Sequence, residues 1–182
     1  MFHFEYFIMK KTLSVKDQNK FQIKSTRAEW WDYSNNGLYF VTICTKFMRP
    51  SFGTLGNEKV ILNQLGQVAR INWLQIPTFF PFTYLGPIII MPNHLHGIIG
   101  IEKTSDFLEI NQARFGPQSN NLASIIRGFK SSVKVEARKF DADFAWQARF
   151  HDHVIRSQFE FDCISSYIKN NPQEWERKKK LC

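Results

Sequence analysis

Apolar and polar positions along this chain fall into short blocks whose period changes several times. Residues 38–45, LYFVTICT, are β-branched and aromatic and follow the turn Asn35-Asn36-Gly37, which predicts a strand. A loop or short hairpin over 51–56 leads to the apolar run 59–62. Over 63–76, Leu65, Val68, Ala69, Trp73, Leu74 and Ile76 recur at helical spacing, and Pro77 is expected to stop that helix. Two strands are predicted at 82–91 and 94–101, joined by Pro92-Asn93, and 103–118 reads as a polar loop. A second helix is predicted over 121–139. Leu122, Ile125, Ile126, Phe129 and Val133 form its apolar face, while Arg127, Lys130, Lys134 and Arg138 step along another. Residues 146–156 alternate loosely and read as a strand. Ser157 and Glu160 have capping-box spacing and open a last helix carrying Phe161, Ile164, Tyr167 and Ile168, which Pro172 is expected to end.

The order β-α-β-β-α-β plus a terminal helix predicts an α+β chain with the ferredoxin-like split βαβ layout, an antiparallel sheet with helices on one face. The expected organisation is a basic arm over 1–30, one domain over 31–173 and a basic tail over 174–182. Many functions share this fold, so the chemistry has to come from a site.

Composition narrows the classes. The 182 residues include 43% hydrophobic and 15% aromatic positions, enough for a real core and against global disorder. The net charge of +8 favours a polyanionic partner, nucleic acid ahead of a membrane surface. Cys44, Cys163 and Cys182 are odd in number and include no CxxC pair, which argues against a disulfide framework and fits a cytoplasmic location. Residues 1–9 lack the pattern of a signal peptide, and no apolar run reaches membrane-spanning length. Met9 would also make a sensible start, with 1–8 as an extension.

The candidate chemistry begins at His94-Leu95-His96. On a strand both imidazoles leave one face, about 6.5 Å apart at their Cα atoms. Such a pair can close on a divalent cation if a third ligand arrives, or can be two surface histidines. Tyr167 and Asn171 are four apart on the terminal helix and share a face. The phenol has the chemistry of a nucleophile and equally of a packing aromatic. The carboxamide is either an oxygen donor to a cation or a C-cap before Pro172.

At these residues the chain resembles the HUH-type single-strand DNA transposases with one catalytic tyrosine, most closely the REP-associated tyrosine transposase branch. The matching segments are DYS at 32–34, YFVTICT at 39–45, IMPNHLHG at 90–97, NLASIIRGFK at 121–130, WQ at 146–147, FHDHVIR at 150–156, and YI at 167–168 with NP at 171–172. They stand in the family's order over about residues 30–173. The resemblance implies His94 and His96 as a metal pair, Asn171 as the third ligand, Tyr167 as the nucleophile and Mg²⁺ or Mn²⁺ as the cofactor. It implies cleavage and rejoining of single-stranded DNA beside a hairpin with short flanking sequence, through a 5′-phosphotyrosine, by a monomer or homodimer. No membrane and no small-molecule substrate are expected. A DNA-binding protein that keeps the fold without catalysis is the alternative.

A second pair, His151 and His153, admits a four-histidine zinc site with the first, but DNA contact together with Arg156 is the favoured reading. The 121–139 basic face, with Arg127, Lys130, Lys134 and Arg138, is the candidate track for a DNA backbone. Arg27, Trp30 and Trp31 are candidates for contacts to flanking bases.

Overall fold

Strand β1, Gly37–Cys44, is the middle of the molecule, and all of its last six residues are buried. The computed structural model describes residues 32–33, 35–105 and 119–179, without the side chains of 178 and 179. After β1 come a hairpin of β2 (Gly53–Gly56) and β3 (Lys59–Leu62), helix α1 (Gln64–Leu74), a helical turn α2 (Ile76–Phe79), strands β4 (Thr83–Ile90) and β5 (His94–Ile101), helix α3 (Leu122–Ala137), strand β6 (His151–Ile155) and helix α4 (Gln158–Lys179). The main sheet has the order β4-β5-β1-β6 with every pairing antiparallel. Setting aside the β2–β3 ribbon, this is the expected ferredoxin-like arrangement.

Local chemistry fixes the element ends. Asn63 caps α1 by accepting from the Gly66 amide at 2.9 Å. Asn121 and Ser124 exchange side-chain and backbone bonds at 2.9 and 3.0 Å in a full capping box on α3. Each cap is worth about 1 kcal/mol. The β2–β3 turn places Asn57 and Glu58 at φ 52° and 58°, the left-handed pair that matches strand twist in a two-residue hairpin.

Period-two alternation on β1 and β5 separates two cores. Tyr39, Val41, Ile43, Leu95 and Ile99 point to the face covered by α1 and α3, where they meet Trp73, Leu122, Ile125, Ile126 and Phe129. Phe40 and Ile98 point to the opposite face and pack with Ile155 and with Ile168 of α4, beside Phe161, Ile164 and Tyr167. Helices α1 and α3 therefore share one face, as expected, and α4 lies alone on the other.

Two expectations need correction. Pro172 does not end the last helix; α4 runs through it to Lys179, so the first residues of the expected tail are helical. Proline costs a helix one backbone hydrogen bond but keeps a helical φ. Here Ile168, Asn171 and Pro172 are all buried, and that packing outweighs the lost bond. The strand expected over 146–156 is a strand only at His151–Ile155, with an isolated bridge from Trp146 to Thr45. The intervening carbonyls are taken by α3 instead of a ladder. The Lys130 ammonium donates to Gln147 O at 2.5 Å and to Arg149 O at 3.4 Å, and Trp146 Nε1 donates to Lys130 O at 3.0 Å. Among the described residues, no helix is long and apolar enough to cross a membrane.

Candidate active site

His94 and His96 occupy the first and third positions of β5, a strand on which every residue is buried. The alternation that sends Leu95 into the α1/α3 core sends both imidazoles to the α4 face, beside Ile98. Their Nε2 atoms lie 3.0 Å apart. Each ring is held from behind through Nδ1. His94 Nδ1 meets Asn93 Oδ1 at 2.7 Å, and His96 Nδ1 meets the Thr42 hydroxyl at 2.8 Å across the β1–β5 pair. Phe40 stacks on His96 at 5.4 Å.

The terminal helix lays its two candidates along the histidine pair. Tyr167 Oη is 3.3 Å from His96 Nε2, and its ring contacts both His96 and Phe40 edge-on. One turn on, Asn171 is 3% exposed, and its Oδ1 is buried without a hydrogen-bond donor. A further turn on, Trp175 lies over the His94 ring at 5.3 Å. Residues 167, 171 and 175 thus form one stripe of α4 laid across the histidine pair.

Burial decides the electrostatics. The His94 pKa is lowered to about 4 by desolvation, and that of His96 is lowered well below 6.5 by desolvation and by its neighbour His94. Both rings are neutral at pH 7 and keep lone pairs for a Lewis acid. Burial raises the Tyr167 phenol above its ordinary value, with the Asn171 carboxamide opposing the shift. Two neutral imidazole nitrogens and an orphaned amide oxygen match the donor set of a divalent cation that accepts mixed N and O ligands. Among the described residues, no three His, Cys, Asp or Glu side chains gather, so the amide is the available third protein donor.

No protein-family model matches the chain. An uncharacterized protein of Haemophilus influenzae is 38% identical over 163 residues, covering 85% of this chain and 90% of that one. A second Haemophilus influenzae protein, named for the REP-associated tyrosine transposases, is 27% identical over 142 residues, covering 78% of this chain and 73% of its own. A solved REP-associated tyrosine transposase bound to a REP hairpin has the same fold, with a TM-score of 0.55 at 18% identity, covering 81% of this chain and 74% of that one. The chain thus shares the fold of a REP-associated tyrosine transposase.

Tyr167, Asn171 and Trp175 of α4 lie along the His94–His96 pair, whereas the other candidates do not join them. Arg127, Lys130, Lys134 and Arg138 stand on or at the end of α3, which packs on the opposite face of the sheet from His94 and His96. The Lys130 ammonium is half-buried on loop carbonyls, and burial lowers its pKa to about 8. His151 and His153 do point to the α4 face, opposite Thr42 and Phe40 on β1. His151 is two strands from His96, and His153 Nε2 bonds Glu160 Oε1 at 2.5 Å, so the four-histidine cluster does not form. Arg156 is exposed just beyond β6, and its backbone amide bonds Glu160 Oε2 at 2.8 Å. The capping residue Glu160 therefore reaches back to Arg156 and not to Ser157. Arg27, Trp30 and Trp31 lie outside the described residues.

Three site residues escaped the sequence reading. Trp175 continues the i, i+4 stripe from Tyr167, and ending the helix at Pro172 hid it. Thr42 and Asn93 sit inside the matched segments, but only strand register puts a hydroxyl behind His96, and only the turn puts an amide oxygen behind His94.

Proposed function

We propose that this chain is a metal-dependent transposase, an endonuclease that cleaves and rejoins single-stranded DNA next to hairpin repeats through a 5′-phosphotyrosine intermediate. The observation that carries this reading is the Tyr167 phenol 3.3 Å from a neutral His96 imidazole, with the unpartnered Asn171 Oδ1 one turn on, between the contacts that Tyr167 and Trp175 of the same helix make to the two rings. His94, His96 and Asn171 would hold one divalent cation, Mg²⁺ or Mn²⁺. When bound, such an ion polarises a phosphate oxygen and offsets the charge that builds during in-line displacement.

The remaining work falls to this chain's own groups. Tyr167 Oη forms the bond to phosphorus, the bond from phosphorus to the 3′ oxygen breaks, and that strand leaves as a free 3′-OH. The resulting phosphotyrosine ester conserves the energy of the broken linkage, so a later 3′-OH can displace the phenol and reseal the DNA. Burial keeps the phenol protonated at neutral pH, so its proton departs as the new bond forms. Trp175 and Phe40 flank the imidazoles and limit water around the attack. A net charge of +8 suits a phosphate backbone, with the outward Arg127, Arg138 and Arg156 as the described cations for that contact. The hairpin bound by the structural neighbour supports a hairpin partner here, and the cysteine pattern supports a cytoplasmic location.

Incubating the protein with Mn²⁺ and a labelled single-stranded oligonucleotide carrying a hairpin from the host's own repeats should give a denaturation-resistant adduct. Tyr167→Phe should abolish it. His96→Ala should remove the metal-dependent cleavage and spare hairpin binding. An adduct that persists in Tyr167→Phe would refute the nucleophile, and cleavage that ignores chelators would refute the ligand assignment.

A further inference from the structure

The two histidines are supported from behind by unlike partners. Asn93 anchors His94 in one sense only. Its Nδ2 donates to Met48 O at 3.3 Å, which turns its Oδ1 toward His94 Nδ1 at 2.7 Å. A carboxamide oxygen accepts and never donates, so His94 carries its proton on Nδ1 and presents a bare Nε2. The 3.0 Å contact between the two Nε2 atoms then requires the proton on His96 Nε2, because two bare nitrogens at that distance repel. His96 Nδ1 is left bare and accepts from Thr42 Oγ1 at 2.8 Å. Coordination by both Nε2 atoms is incompatible with this arrangement. It requires the His96 proton on Nδ1, and then the group behind that nitrogen has to accept.

A hydroxyl is the side-chain group that can do both by rotating about one bond. Thr42 is 3% exposed, so water does not readily substitute for it, and it is fixed opposite His96 by the β1–β5 register. We propose that Thr42 is the positioning residue that lets His96 exchange tautomers, its hydroxyl donating to Nδ1 when the imidazoles bond each other and accepting from Nδ1–H when both face a cation. This inference rests on the proposed function in taking the histidine pair as a metal site. No atoms are gained or lost: one proton moves from Nε2 to Nδ1 of His96, and one O–H turns.

The test reads tautomers and metal affinity, not turnover. In chelator-treated protein, long-range ¹H–¹⁵N correlation spectra should show His94 as Nδ1–H and His96 as Nε2–H. Adding Zn²⁺ as a diamagnetic probe should convert His96 to Nδ1–H. Mn²⁺ titration followed by the paramagnetic signal of the free ion should give a Kd for Thr42→Val weaker by 10-fold or more, as for other lost supports of metal-bound histidines. Thr42→Ser, which keeps the hydroxyl, should stay within about threefold of the parent. His96 found as Nδ1–H in chelator, or Thr42→Val binding Mn²⁺ as the parent does, overturns the proposal. If Thr42→Val fails to fold, the parent spectra and Thr42→Ser still decide. His94→Gln is the separate control for the site itself: if it binds Mn²⁺ unchanged, the histidine pair is not the metal site, whatever Thr42 does.

Discussion

Acid should destabilise this protein in a window set by the histidine pair. The ordinary histidine pKa of 6.5 applies to the unfolded chain, whereas His94 in the folded chain titrates at about 4 because its ring is buried. Its folded pKa is depressed, so the unfolded state binds the proton more readily. The stability it contributes is fully present above 6.5 and is lost as pH falls from 6.5 through 4. At about 1.4 kcal/mol per unit, a shift of this size corresponds to about 3 kcal/mol below pH 4, of which about 2 kcal/mol is already lost by pH 5. His96 moves in the same direction and adds to the loss. Denaturant titrations at closely spaced pH values, in chelator, measure this directly. The unfolding free energy of the parent should fall steeply between pH 6.5 and 5, while that of the double variant His94→Gln/His96→Gln should fall much less. Other acid-sensitive groups, such as the lowered Glu160 carboxyl, are common to both proteins and cancel in the difference. Parallel curves for the two proteins across that window would show that the imidazoles are not buried neutral bases, and the lone-pair argument for a cation would fall with them.

Three further outcomes follow from single side chains. Asn171→Leu replaces a buried orphan acceptor with an apolar group of similar size, so it should raise unfolding stability by on the order of 1 kcal/mol while lowering Mn²⁺ affinity; lower stability would mean that Oδ1 is satisfied in solution. Gly97→Ala places a methyl 2.8 Å from Cη2 of Trp73, which is fully buried and edge-packed on Phe129 at 5.4 Å. It should cost about 1–3 kcal/mol in denaturant titration, and a neutral result would show that the Trp73 ring can retreat. His151→Ala should leave Mn²⁺ stoichiometry unchanged in equilibrium dialysis, since His151 lies two strands from His96; loss of the ion would restore a wider histidine cluster.

What the chain determines by itself is everything written in local periodicity and local chemistry. The period-two runs at 38–45 and 94–101 became β1 and β5 within a residue, and Asn63 and Asn121 capped helices because their side chains bond amides three positions on. Spacing along a strand and a helix showed that His94 and His96 share one face and Tyr167 and Asn171 another, and only the family resemblance singled the four out as a site. Tertiary structure decided what depends on competition between distant groups. Pro172 stays helical because burying Ile168 and Asn171 against the sheet outweighs one lost hydrogen bond, and that continuation sets Trp175 over His94. Residues 147–149 leave the ladder because Lys130 takes their carbonyls. The basic stripe of α3 ended up across the sheet from the histidines because its apolar face belongs to the other core. Thr42 met His96 through strand register, a relation between residues 54 positions apart that no local pattern encodes.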